Sequence, residues 1–240
     1  MALVEHLMID GYDGDRELMA DPEGVRALTN AISGMLGQVT QEPYVLPYFD
    51  GKTPEDCGVS ATVLFEGGGH GAIHTFSEKR TVFVDFATPG AKIGDCRDEI
   101  SAMVKRAMKL GELDQFETLV GDQRGQLPDC FGPHFIANGK FKKPPTFEQV
   151  YDMIANLPPA ISMTPISKPQ VIKHENGGTT GLGLIAESHI ALHMDGEGEF
   201  AFDVFSCKPF DLERLADLLS RWGMPLDDVS LRARGLHFPR

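Results

Sequence analysis

Apolar and polar positions alternate along much of this chain, in short runs bounded by turn residues. Val4 to Ile9 reads as a strand stopped by Asp10-Gly11. Asp21-Pro22 then opens a helix, with proline in its first turn. Val25, Leu28, Ile32 and Leu36 give that helix one apolar stripe, and Gly37 ends it. Tyr44 to Tyr48 is a short strand, and Phe49 to Cys57 a polar surface loop. Val59 to Phe65 is a further strand, leading into Gly67-Gly68-Gly69 and a hairpin. Ile100, Met103, Val104 and Ala107 place a second helix over Asp98 to Leu110. The first half is thus β-α-β-β-β-β-α, and Gly111 to Asp129 is its connector.

The same order then returns. Phe131 to Ala137 is a strand. Thr146 caps a helix carrying Val150, Met153 and Ile154 on its inner face, which Pro158-Pro159 is expected to end. The segment from Ile161 to Ile172 contains two prolines and is at best an edge strand. Glu175 to Thr180 is a glycine-rich loop. An apolar run, Leu182 to Ala186, stops at Glu187-Ser188-His189; an alternating segment through His193 and a second strand, Phe200 to Phe205, then flank the turn Asp195-Gly196-Glu197-Gly198 and form a hairpin. A last helix spans Asp211 to Trp222, with Leu212, Leu215, Leu218 and Leu219 buried.

The two hairpins are related. VLFEGGGHGAIHTFSEKRTVFVDFATP, from Val63 to Pro89, aligns with GLGLIAESHIALHMDGEGEFAFDVFSC, from Gly181 to Cys207. His70 matches His189, His74 matches His193, and Asp85 matches Asp203. Gly69 stands where the second copy has Ser188, and Pro89 where it has Cys207. An internal repeat of this length implies two similar halves, residues 1–120 and 121–240. The expected fold is α+β: antiparallel sheets with outer helices, paired as an αββα sandwich.

Composition narrows the function. The chain has 240 residues, enough for one large domain or two of about 120. A net charge of −13 argues against nucleic acid or an anionic membrane as partner. No apolar run is long enough to span a membrane, and the N-terminus lacks the pattern of a secretion signal. Cys57, Cys96, Cys130 and Cys207 show no C-x-x-C spacing, which reads as thiols in a reducing cytoplasm and no metal site. Gly67-Gly68-Gly69 lacks the lysine and following helix of a phosphate loop and reads as a turn.

Taken singly, the polar residues of the hairpins have plain readings. His74 and His193 are compatible with satisfied core histidines, Cys207 with a small buried hydrophobe, and Glu78 with an ion pair beside Lys79-Arg80. Taken together they resemble the S-adenosylmethionine decarboxylase family. Its bacterial members carry E-S-H-x-x-x-H-T-W-P-E, then a strand ending in D-x-F-T-C. AESHIALH and FAFDVFSC are similar to both parts. VEHLMIDGYDGD resembles the family's first strand, and Leu46-Pro47-Tyr48 with Gly58-Val59-Ser60 resembles its L-P-Y-G-V-S.

The resemblance implies a chain that cuts itself between Glu187 and Ser188, turning Ser188 into a pyruvoyl cofactor. The new ketone would hold an amine substrate as a Schiff base and accept the electrons left by CO₂. It further implies Cys207 as the acid that returns a proton, Ser60 and His74 as aids to processing, and Glu78 and Phe131 as substrate-binding residues. Serine and cysteine would come from the second half and the other groups from a degenerate first half, leaving one working site and one dead one. Val45 stands where the family has an aromatic ring, Phe76-Ser77 replace its Trp-Pro, and Asp10 and Asn138 occupy the positions of its first-strand glutamate. The expected substrate is S-adenosylmethionine, for polyamine (spermidine) synthesis. Ornithine or arginine decarboxylation and an inactive regulatory or binding homologue are the alternatives. The partner is in each case a small cationic amino-acid-type molecule. The protein is expected to be a cytoplasmic monomer of fused halves or a homodimer.

Overall fold

The computed structural model describes residues 4–48, 57–89, 93–117, 132–186, 188–206, 210–226 and 228–238. It divides into two compact units. Among the described residues no helix is long and apolar enough to cross a membrane.

The first unit contains β1 (Glu5–Tyr12), α1 (Arg16–Met19), α2 (Pro22–Leu36), β2 (Tyr44–Tyr48), β3 (Gly58–Leu64), β4 (His70–Phe76), β5 (Thr81–Thr88), α3 (Ile93–Ala107) and β6 (Glu112–Glu117). Its strands form one antiparallel sheet in the order β2-β3-β4-β5-β1-β6. The Asp21 side chain accepts from the Glu23 amide and Pro22 fills the first turn, so α2 starts where its sequence predicts. Its stripe of Val25, Leu28, Ile32 and Leu36 packs against Val59, Ala61, Val63 and Ile73, one face of the sheet. The alternate residues of the same strands, among them His6, Asp10, Ser60, Thr62, His70, His74 and Asp85, are buried too. Strands β1, β3, β4 and β5 therefore have an apolar face under helices and a second buried face that carries these polar groups. The polar face carries the candidate chemistry.

The second unit contains β7 (Gly132–Lys140), α4 (Phe147–Ala160), β8 (Gln170–Lys173), β9 (Thr179–Ile185), β10 (Ser188–Met194), β11 (Glu199–Phe205), α5 (Leu212–Arg221) and β12 (Asp228–Arg234). Its sheet runs β12-β7-β11-β10-β9-β8, the same topology as the first. Both halves are α+β with antiparallel sheets. Gly181 and Gly183 let α4 lie close on β9: a Cβ on Gly183 would come within 2.8 Å of Ile154 Cγ2. Ile190, Leu192, Phe200, Phe202 and Val204 complete this core.

Four boundaries differ from the sequence reading. Helix α3 begins at Ile93, because Ile93 is buried in register with Ile100 and Val104. Helix α4 runs through Pro158-Pro159 to Ala160. These prolines lie in its last turn, where the buried Leu157 and Pro158 anchor it and Ile161 N–H donates to the Leu157 carbonyl. The supposed connector begins with strand β6, and a strand, β12, follows the last helix. The weak segment before β9 is an edge strand, as its prolines require.

The described C-terminal residues, Gly235–Phe238, belong to the first unit. Gly235 N–H donates to Asp10 Oδ2 at 2.7 Å. The Phe238 ring lies on Phe83 at 6.2 Å and edge-on to Phe76 at 5.6 Å. His237 meets the Tyr12 ring edge-on.

Candidate active site

In the first unit the register of β3 and β4 places Ser60 opposite His74, on the face away from α2. Ser60 Oγ and His74 Nδ1 are 2.9 Å apart, and both residues are buried. A neutral imidazole at this distance can take the hydroxyl proton or hold the oxygen in place. Glu78 follows in the turn after β4. Its carboxylate is ion-paired with Arg16 of α1, and Arg80 Nε donates to the Gly14 carbonyl instead. On the same polar face His6 Nδ1 stands 3.6 Å from Asp85 Oδ1.

In the second unit Ser188 is the first residue of β10, pairs with Ile185 across β9, and is fully buried. The next residue, His189, lies on the polar face and places Nε2 3.1 Å from Asp203 Oδ2. His134 of β7 brings its own Nε2 to the same oxygen at 3.4 Å. Arg234, at the end of β12, approaches His134 Nδ1 at 3.0 Å and is itself fully buried. The guanidinium also lies 4.9 Å from the centre of the Phe205 ring.

The second unit repeats the hydroxyl–imidazole pair. Thr180 lies opposite His193, with Oγ1 to Nδ1 at 3.2 Å, and His174 Nε2 meets the same hydroxyl at 2.9 Å. Burial holds the His174 pKa below its ordinary value. Sequence reasoning missed Thr180, His174, His134 and Arg234. Thr180 occupies the register position of Ser60, but Thr-Thr-Gly offers little likeness to Gly-Val-Ser. His134 and Arg234 sit on β7 and β12, far from the hairpin motif in sequence.

Of the residues singled out from sequence, the structure joins Ser60 to His74 and places Ser188 in the other unit. Glu187, Cys207 and Phe131 lie outside the described residues. Arg234, which can only donate, occupies His134 Nδ1 and so leaves the proton of the neutral ring on Nε2. His134, Asp203 and His189 form a hydrogen-bonded charge network.

The model of the S-adenosylmethionine decarboxylase family matches residues 5–117 and 145–222. This chain belongs to that family. Ser60, His74 and Glu78 fall in the first matched segment of this decarboxylase-family chain; Thr180, Ser188, His189, His193, Asp203 and Cys207 fall in the second. His134 and Arg234 lie outside both. Among solved structures, the adenosylmethionine decarboxylase of Aquifex aeolicus is similar over 52% of this chain and 98% of its own, at 19% identity and a TM-score of 0.40. An unknown protein from Galdieria sulphuraria is similar over 98% of both chains, at 9% identity and a TM-score of 0.23. Comparison with curated proteins gave no match.

Proposed function

We propose that this family member is a self-processing, pyruvoyl-dependent decarboxylase of S-adenosylmethionine that feeds polyamine synthesis. The observation that carries the reading is Ser188, fully buried at the head of β10 in a decarboxylase-family chain. Ser188 Oγ attacks the Glu187 carbonyl carbon, the C–N bond breaks, and the amide becomes an ester. A base removes the Ser188 Cα proton and the Glu187 carboxylate leaves. Water then converts the dehydroalanine to a ketone with loss of ammonia, so no outside oxidant is needed. Burial suits this sequence, because excluding bulk water protects the ester from simple hydrolysis.

Ser60 and His74 fit the parts of hydroxyl and imidazole in this processing. Once formed, the pyruvoyl group supplies the electron sink for loss of CO₂. Cys207 returns the proton to the substrate carbon. Glu78 and Phe131 bind the substrate.

The test is the mass of the purified chain. Wild type is expected as fragments 1–187 and 188–240, the second blocked at its N-terminus, and Ser188→Ala as one intact chain. A wild type that stays whole on long incubation overturns the proposal. The substrate is tested by CO₂ release from carboxyl-labelled S-adenosylmethionine, ornithine and arginine at equal low concentration. A second reading, turnover of ornithine or arginine, has an observation in its favour: Val45 packs against the first unit's core. Base-on-aromatic stacking contributes about 1–3 kcal/mol in nucleic-acid sites. Good turnover of either amino acid without S-adenosylmethionine would establish this second reading.

A further inference from the structure

The strongest unassigned feature is the row of buried groups Arg234, His134, Asp203 and His189, all within the second unit. Its hydrogen positions follow from donor chemistry. Arg234 has only donors, so His134 Nδ1 accepts and the ring is neutral with its proton on Nε2. An ionised Asp203 has only acceptors, so both Nε2–H groups, of His134 and His189, donate to Oδ2. The row thus links the Arg234 guanidinium to the Asp203 carboxylate through the neutral His134 ring, and His189 donates to the same carboxylate oxygen.

Phe205 is the platform for this row. It pairs with His189 across β10 and β11. Its ring lies 5.5 Å from that of His134, 6.1 Å from that of His189 and 4.9 Å from the guanidinium carbon. The row thus clamps β10 one residue after Ser188 and β11 two residues before Cys207.

We propose that Arg234 and His134 are positioning residues for the chemistry at Ser188. They lock His189 through the shared Asp203 oxygen and thereby fix the first residue of β10. This rests on the reading of Ser188 as the processing serine. Adjacent strand residues point to opposite faces, so His189 acts on Ser188 through the backbone. An acyl shift is sensitive to such placement, since a displacement of about 1 Å can cost about 100-fold in rate. The halves differ in a way that fits. The half with Gly69 in place of the serine has His6, His70 and Asp85 on its polar face. Its edge strand β6, which takes the place of β12 in the sheet order, reads ELDQFE and carries no arginine.

Two measurements test this. In full-length Ser188→Ala, nitrogen-detected NMR of the histidine rings is expected to show His134 as a neutral ring protonated on Nε2. A His134 protonated on Nδ1, or on both nitrogens, overturns the row itself. This arm is independent of whether Ser188 is processed. In the second arm, the half-time of cleavage is followed for wild type, Arg234→Met, Arg234→Lys and His134→Asn. Arg234→Met and His134→Asn are expected to slow cleavage about 10- to 100-fold, the range for outer partners of a site histidine. Arg234→Lys should recover part of the rate. The double variant Arg234→Met/His134→Asn should be no slower than the worse single one, as members of one row are not additive. Wild-type cleavage with unchanged rates in both single variants overturns the proposal. So does equal loss in the lysine and methionine variants. If Arg234→Met does not fold, Arg234→Lys and His134→Asn carry the test. A wild type that never cleaves removes the Ser188 reading and with it the positioning role, while the ring protonation still judges the row.

Discussion

At the scale of the residue, the two hydroxyl–imidazole pairs separate what is shared from what differs. Ser60 with His74 and Thr180 with His193 occupy the same register in their sheets. Thr180 also meets His174, so His193 shares its hydroxyl with a second imidazole. One hydroxyl proton cannot serve two imidazoles, so one of the two rings must donate to Thr180 Oγ1; the family resemblance gives the processing role to His74. His74→Ala is expected to slow cleavage at Ser188 by about 100-fold or more, the loss typical of a general base. His193→Ala should leave cleavage within a few-fold of wild type. Gel analysis of chain cleavage over time checks both, and the opposite ranking would assign processing to His193. The hairpin motif in the sequence already holds both histidines. The third group, His174, lies outside it and meets Thr180 because it directly follows β8, which pairs with β9.

At the scale of the element, close approach and edge position explain the departures from simple periodicity. Gly181 and Gly183 sit in a strand that a propensity argument would weaken. They are required there because Val150 and Ile154 of α4 occupy the space that side chains would fill. Gly183→Val should therefore overpack the α4–β9 contact. The expected loss is about 1–3 kcal/mol of stability, measured by urea unfolding. A Cβ added at Gly34, in α2, would meet nothing within 4 Å. Gly34→Ala is the control and should be neutral or stabilising by up to about 1 kcal/mol. Equal effects at the two sites would contradict the packing account. Strands β6 and β12 were hidden for another reason. Charged residues interrupt both, and each becomes a strand by pairing with β1 or β7.

At the scale of the whole molecule, the duplicated topology and the C-terminal residues stand out. The two sheets have the same strand order, and the chain then places Gly235–Phe238 with the first unit. The Phe238 ring packs on Phe83 and Phe76, and Phe83 pairs with His74 in the sheet. Phe238→Ala is expected to lower stability by about 1–2 kcal/mol, from lost aromatic contact and area. The loss should appear as faster hydrogen exchange in β4 and β5 more than in β12, although β12 is nearer in sequence. Exchange that rises in β12 alone would show that the tail serves only its own strand.

The chain's local patterns determined a great deal without tertiary information. Alternation, capping residues and turn glycines located the hairpins and helices. The repeat from His70 to Asp85 and from His189 to Asp203 declared two related halves. The motif around Ser188 pointed to the family. All of these are short-range signals, carried by neighbours in sequence. Tertiary structure decided what depends on distant segments meeting. Buried Ile93 extends α3, and pairing with β1 and β7 makes strands of β6 and β12. Packing around Leu157 keeps Pro158-Pro159 inside α4. The row from Arg234 to His189 joins residues from β12, β7, β11 and β10. No spacing rule links them, because their common geometry exists only once the sheet has formed and a buried carboxylate must find its donors.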